Sequence, residues 1–579
     1  MSVSIKPIRG AEFPRTFTSS VADFGDWQQI EPLFMDLEQR AGALASSEAL
    51  ERWLLDQSEL GAALDEEFTR RYIAMTCDTS SPEMQKAYLD FLENVQPKTK
   101  PHWDRLNRLY LASPHRNQLD PRRYSVMDRA VENEVKLYRD ANVPLQTEDA
   151  KLKQQFQTIS GAMTVEFRGE KKTLPQMAPY QEETDRALRE ETWRLVAERR
   201  LQDRDALDDL LDQMIQLRAQ MAKNAGFENF RDYQHQAYGR FDYAPADVLA
   251  FQESIAEYVV PLLARVREER RKKLNIPTLR PWDLAVDPLS RPPLRPFSTS
   301  EELERGCRRI FSAIGRDFSD EFARMQANGL LDLNSRVGKA PGGYQSSLEE
   351  VRYPFIFMNA AGTDRDVFTL LHEGGHAFHA FAARNEPLLF YRHAPIEFCE
   401  VASMSMEMFA YNHLDAFYSN EDAQRSRRHH TEQLLTLFPW IAAVDAFQHW
   451  LYLSPNHSRA ERSAKWIEIE SRFSPRLDWS GLEPYHESLW QRQLHIFEVP
   501  FYYIEYGIAQ LGALQLWLRH KQNPEAAVQG YRRGLALGGS RPLPELFQAA
   551  GARFDFSADT LRPIMEAIQD ELADGTSAS

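Results

Sequence analysis

Cysteine is scarce in this chain, with Cys77, Cys307 and Cys399 the only three among 579 residues. An odd and widely spaced set builds no disulfide framework, so stability must come from packing, and the composition suits a reducing compartment. The expected location is cytoplasmic. Long apolar runs are missing too: no 18 uninterrupted apolar residues occur, and the opening MSVSIKPIRGAEFPRTF has no basic stretch leading into an apolar one. Neither a membrane-spanning helix nor a secretory signal is expected. Positive charge is in deficit, since 69 Lys and Arg face 85 Asp and Glu for a net charge of −16. That balance repels nucleic acid and acidic membrane surfaces, so neither is an expected partner. The short basic cluster Arg425, Arg427, Arg428, His429 and His430 reads as the solvated face of a helix.

What the chain does have is an ordinary globular composition, 43% hydrophobic and 27% charged, over a length that exceeds one compact core. Charged and apolar residues alternate at three- and four-residue spacing through Leu201–Met221 and Val248–Leu274, which predicts a predominantly α protein. Ser80-Ser81-Pro82, Gln96-Pro97-Lys98, Asn142-Val143-Pro144 and the proline-rich stretch from Pro277 to Pro296 interrupt the helices. The expected division is an N-terminal helical region, 1–150, and a region 151–579 that holds the recognisable chemistry. Two β elements are expected. One is a hairpin over Met163–Leu174 turning at Arg168-Gly169. The other is a strand over Tyr353–Asn359, after the turn-rich Lys339–Gly343, which is expected to pair with a substrate backbone as an added strand.

That strand leads into DVFTLLHEGGHAFHAF, Asp366 to Phe381, which contains His372-Glu373-Gly374-Gly375-His376. Four residues is just over one helical turn, so both imidazoles project from one face and can hold one ion, with Glu373 beside them as a base. His379 aligns with them, next to an apolar stripe of Phe368, Leu371, Gly375, Phe378 and Ala382. Two glycines within a helix cost about 1 kcal/mol each relative to alanine, so close approach of another backbone is expected to require them. A hydrolytic zinc site needs a third protein ligand and an open position. Glu400, on a second helix reading EFCEVASMSMEMFAY, is the strongest candidate, with Glu397 one turn earlier as its rival. Glu407 lies two turns beyond Glu400, where it could hydrogen-bond a liganding histidine.

HEGGHAFH followed by CEVASMSMEMF resembles the pattern of the thimet oligopeptidase and oligoendopeptidase F family of zinc metallopeptidases. GKAPGGYQ and PFIFMNAAGTDRDVFTLLHE upstream, and HIFEVPFYYIEYGIAQLGALQLW downstream, extend the likeness over roughly residues 155–550, closest to the oligoendopeptidase F and Pz-peptidase branch. The resemblance implies one zinc per chain on His372, His376 and Glu400, selecting Glu400 over Glu397, and Glu373 as base. It places His495, Tyr502, Tyr503 and Tyr506 near the oxyanion, with Tyr506 and then Tyr503 favoured because they lie one turn apart. It also implies a large two-lobed helical body around a deep substrate channel that admits short unfolded peptides.

The expected activity is therefore that of a zinc-dependent oligoendopeptidase cutting internal bonds of short peptides, with Glu373 activating a zinc-bound water and the downstream donors stabilising the oxyanion. A zinc carboxypeptidase on a similar helical body is the alternative enzyme. A non-catalytic peptide-binding scaffold is the alternative from another class, and the intact Glu373 counts against it.

Overall fold

The computed structural model describes residues 12–336, 339–340 and 342–574. Gly338 and Pro341 of the GKAPGGYQ segment and the terminal GTSAS lie outside them. The protein is predominantly α, with two small sheets among the described residues. No described helix is long and apolar enough to cross a membrane.

The chain divides into two compact units, each assembled from three segments. The first contains residues 1–136, 295–423 and 509–554; the second contains 137–294, 424–508 and 555–579. Residue 150 falls inside the second.

In the second unit, strands β1 (Thr164–Phe167) and β2 (Glu170–Thr173) form the predicted antiparallel hairpin. Arg168 and Gly169 take φ of 53° and 79°, the left-handed pair that a two-residue hairpin turn demands. The core of this unit gathers Phe156, Met214, Phe447, Trp466, Trp490 and Phe497. Burying such side chains is worth about 1.5–3 kcal/mol each, which gives a helical body without disulfides its cohesion. The cysteines are all free thiols. The basic cluster is largely ion-paired: Arg425 reaches Asp287 at 2.9 Å and Arg428 reaches Glu432 at 2.9 Å.

In the first unit, helices Trp27–Ala41, Ser47–Cys77, Gln96–Ala112 and Pro121–Leu137 pack around Phe34, Leu37, Trp53, Leu60 and Tyr110. Their boundaries follow local chemistry. Ser46 caps the long second helix through the Ala49 amide, and Pro97 sits in the first turn of the third, where its missing N–H costs nothing.

The three-stranded sheet of this unit has the order β3 (Leu331–Asn334), β5 (Tyr353–Ala360), β4 (Tyr344–Leu348). β5 pairs parallel with β3 and antiparallel with β4, with Gln345 opposite Ile356. The expectation that Tyr353–Asn359 receives a substrate strand is thus corrected, because a strand paired on both sides has no free backbone edge. β4 is the edge on that side, and its outer side has no ladder partner among the described residues.

Candidate metal centre

Three residues separate β5 from the helix that carries the motif, Asp364–Ala383. Gly362, at φ of 84°, makes the turn, and its α-carbon faces the Phe297 carbonyl so closely that a side chain there would be crowded. A capping box then starts the helix: the Thr363 hydroxyl accepts from the Asp366 amide, while Asp366 accepts from the amides of Ala361 and Thr363 at 2.9 and 2.8 Å. Val367, Leu370, Leu371 and Phe378 on this helix are buried.

The second helix, Ile396–Phe409, packs directly against the motif helix. A Cβ added at Gly375 would stand 2.5 Å from Ser403 Cα and 2.6 Å from the Ala402 carbonyl oxygen. The close backbone expected from the sequence is therefore that of the second helix. Gly374 differs, since a Cβ there would meet the ring of Phe311 at 2.7 Å. The crossing brings Glu400 over the two histidines. One ligand atom each from His372, His376 and Glu400 lies within 4.8 Å of the others. Glu400 Oε2 is 3.3 Å from His372 Nε2 and 3.7 Å from His376 Nε2, and it also accepts from the Ser403 hydroxyl at 3.0 Å. His372 Nδ1 meets Glu407 Oε1 at 2.6 Å.

The charge states of Glu400 and His376 suit a cation, while at His372 the Glu400 and Glu407 carboxylates overcome burial and hold the imidazole well above its ordinary value. Burial alone would raise Glu400, but His376, His372 and Ser403 outweigh it and hold the carboxyl down at about 2. Burial pushes His376 down to about 4, so it is neutral and free to donate a lone pair. Burial likewise raises Glu373 to about 7, against opposing pulls from His372 and the Gln345 backbone amide on β4. A carboxyl with a pKa of about 7 can exchange a proton near neutral pH.

His379 stands apart from the ligand set. It is buried edge-on to Phe398 at 5.9 Å, its Nε2 has no hydrogen-bond partner among the described residues, and burial holds it neutral with a pKa of about 3. Glu397 is buried on the same helix as Glu400 and is not part of the cluster.

A profile described as Peptidase family M3 matches residues 179–566, and one described as Peptidase M3 N-terminal domain matches 21–138. The chain belongs to peptidase family M3. It is 26% identical over 305 residues to an oligoendopeptidase F homolog of Borreliella burgdorferi, covering 50% of this chain and 49% of that protein. It is 31% identical over 149 residues to the chromosomal oligoendopeptidase F of Lactococcus lactis subsp. cremoris, covering 26% and 24%. The chain thus matches about half or less of the length of these curated relatives. A solved structure of Pz peptidase A with an inhibitor superposes with a TM-score of 0.88 at 28% identity, over 96% of this chain and 99% of that one. M3 is a metallopeptidase family, which implies a metal ion. Two imidazoles and a carboxylate on adjacent helices, with a carboxylate behind one imidazole, form a donor set that fits a catalytic zinc ion.

The remaining candidates of this M3 chain, His495, Tyr502, Tyr503 and Tyr506, lie in the other unit and form a cluster of their own. The His495 ring is 4.6 Å from that of Tyr503 and 5.9 Å from that of Tyr506, and Tyr506 lies 5.6 Å from both Tyr502 and Tyr503. Residues not singled out in the sequence hold this cluster. Trp440 Nε1 donates to Gln493 Oε1 at 2.9 Å, which turns the Gln493 amide nitrogen to His495 Nδ1 at 2.6 Å. His495 Nδ1 is therefore the acceptor and Nε2 carries the proton. Burial keeps this imidazole neutral, with a pKa of about 4. Just before the tyrosines, Phe501 takes φ of 68°, secured by its amide on Gln448 at 2.8 Å and by Arg240, which binds the Phe501 carbonyl at 2.6 Å and Glu505 at 2.8 Å. Such a backbone conformation costs on the order of 1–3 kcal/mol and persists only where surrounding contacts impose it.

Proposed function

We propose that this M3 protein is a zinc-dependent oligoendopeptidase that hydrolyses internal bonds of short unfolded peptides in the cytoplasm. The observation that carries this is the convergence of His372, His376 and Glu400 within 4.8 Å on the helix pair that also holds Glu373. In this assignment the three converging residues hold one zinc, which when bound supplies a Lewis acid that polarises the scissile carbonyl and makes water acidic enough to attack near neutral pH.

The chain's own groups supply the rest. Glu373, lifted to about 7 by burial, takes the proton from the attacking water and returns it to the departing nitrogen. Glu407 holds His372 in one orientation. The free side of β4, whose Gln345 amide faces Glu373, offers backbone donors and acceptors to an extended peptide, so recognition depends little on side chains. His495, Tyr506, Tyr503 and Tyr502 are assigned to hydrogen-bond the oxyanion. Support for that role comes from the segment's likeness to the family and from the neutral Nε2–H of His495.

The test is to incubate the purified protein with mixed peptides, with and without chelator, and to identify products by mass. Chelator-sensitive internal cuts are expected. Loss of single C-terminal residues would identify a carboxypeptidase instead, and intact peptides would leave a binding scaffold.

A further inference from the structure

Within the first unit, β4 turns its alternate residues to different neighbours. The Tyr344 hydroxyl meets that of Thr76, on the helix Ser47–Cys77, at 2.6 Å. Gln345, Ser347 and Glu349 instead line a cavity of about 60 Å3 together with His376 and His379 of the motif helix, and the Gln345 amide donates to the Ser347 hydroxyl at 3.2 Å along that face. His376 belongs to the converging triad, so this cavity adjoins the metal centre directly.

The rest of its wall is cationic: Arg352, Arg384 and Arg392 all line it, and the last two side chains are only 9% and 5% exposed. Their bonds leave donors over. Arg352 Nη1 donates to the Arg384 carbonyl at 2.8 Å, Arg392 Nη1 donates to the Glu349 carboxylate at 3.0 Å, and Arg384 Nη2 lies 2.8 Å from the Glu12 carboxylate. The Nε of each of the three is buried with no acceptor among the described residues, and His379 Nε2 beside them has no partner either. Buried donors are as a rule satisfied, so three in one wall suit an anionic acceptor. Glu349 is shared with His393 at 2.8 Å, Glu386 is committed to Arg123 at 2.6 Å, and the exposed Asp65 contributes only its field to Arg392. Arg352 also holds φ of 57° in the turn after β4, a conformation that favours glycine; the guanidinium is kept there against local preference.

Resting on the peptidase assignment above, we propose that this cavity is the subsite for an acidic side chain, glutamate or aspartate, of the peptide being cleaved. In a strand added to the free side of β4, alternate side chains point to the face that Gln345 and Ser347 share, toward the motif helix. Because His376 borders both the cavity and the metal, the residue concerned stands within about two positions of the cut, ~7 Å of extended chain. A carboxylate accepts from several guanidinium N–H groups at once, with charge assistance. An amide of the same shape brings the oxygen without the charge. The backbone edge of β4 reads no particular side chain, and the arginine wall adds one preference to it. A C-terminal carboxylate offers the same acceptor chemistry from the main chain, so the two sources are separated below.

The test uses the zinc-loaded full chain and a set of N-acetylated, C-amidated peptides of one length in which glutamate replaces glutamine at each position in turn. One position, within about two residues of the cut, is expected to show about a tenfold preference for glutamate, expressed in KM rather than kcat. In Arg384→Gln and in Arg352→Gln the glutamate-to-glutamine ratio at that position should fall toward one, whereas Arg384→Lys, which keeps the charge, should retain part of it. In Arg352→Glu the preference at that position should pass to lysine. Each ratio is internal to one protein sample, so a smaller folded fraction does not move it. Titration of the same peptides into the zinc-loaded, hydrolytically crippled Glu373→Gln protein should show the same ordering of affinities. The subsite is thereby tested even if no peptide is cut, an outcome that would sink the peptidase assignment instead. The subsite is overturned if glutamate gives no advantage near the cut in cleavage or binding, if both arginine-to-glutamine variants keep the preference, or if only a free C-terminal carboxylate on the glutamine peptides reproduces it.

Discussion

His372 Nδ1 and Glu407 Oε1 are 2.6 Å apart, so the imidazole that presents Nε2 to Glu400 is held from behind in one orientation and one tautomer. Removing that support should loosen the metal without removing a ligand. Glu407→Ala is expected to weaken zinc binding about 10–100-fold, read by competition with a chelating dye. Unchanged affinity would make Glu407 a structural carboxylate only.

Gly375 and Gly374 should respond differently to alanine. The new methyl at 375 would run into backbone, 2.5 Å from Ser403 Cα, and two packed helices must separate to admit it. At 374 it meets the Phe311 ring, which can turn. Overpacking of this kind costs typically about 1–3 kcal/mol and more where backbone must shift. Gly375→Ala is therefore expected to lower Tm by more than Gly374→Ala and to lose bound zinc as well. Equal Tm shifts would show that the helix crossing tolerates expansion.

Much of this site was legible because its chemistry is written in local spacing. The four-residue separation of His372 and His376 fixes a shared helical face, and Glu400 to Glu407 is two turns of another, so both pairings follow from helix geometry alone. The Arg168-Gly169 turn was legible for the same reason. What local spacing cannot encode is which strand is an edge. Tyr353–Met358 is buried residue after residue, the pattern of a strand covered on both faces and paired on both sides, and that continuity was the available signal against an edge role. The Trp440–Gln493 bond that supports His495 links residues 53 positions apart and carries no motif. The division into units follows contacts between segments far apart in sequence, so composition along the chain does not mark it.

The ligand assignment separates two neighbouring carboxylates. Glu400→Ala should abolish stoichiometric zinc, as should His372→Ala and His376→Ala, because two remaining ligands compete poorly with water. Glu397→Ala should retain the metal, as read by metal analysis of the dialysed protein. A full zinc equivalent in Glu400→Ala with none in Glu397→Ala would reverse the choice.

Glu373→Gln should bind zinc like the parent protein and fold like it, while kcat falls about 10²–10⁴-fold, since the amide cannot accept the water's proton. Metal content and rate must be measured on the same sample. Near-normal turnover in a zinc-replete Glu373→Gln protein would assign the base elsewhere.

Tyr506→Phe separates transition-state stabilisation from packing. The ring of Tyr506 lies 5.6 Å from those of Tyr502 and Tyr503 and 5.9 Å from His495, and phenylalanine keeps all of these contacts. A purely structural tyrosine would therefore show a modest stability change and unchanged turnover. An oxyanion donor would lose roughly 100-fold or more in kcat and kcat/KM together while KM hardly moved, because its bond strengthens only as the carbonyl oxygen gains charge. Tyr502→Phe and Tyr503→Phe rank the other hydroxyls by the same measure. His495 is distinguished through its support: burial holds it neutral with a pKa of about 4, and Gln493 fixes its proton on Nε2. If His495 donates to the oxyanion, Gln493→Leu should lower kcat by freeing the other tautomer, and His495→Gln should lower it further. If all of these variants keep zinc and near-normal kcat, the His495–Tyr506 segment contributes packing to its own unit and nothing to the chemistry.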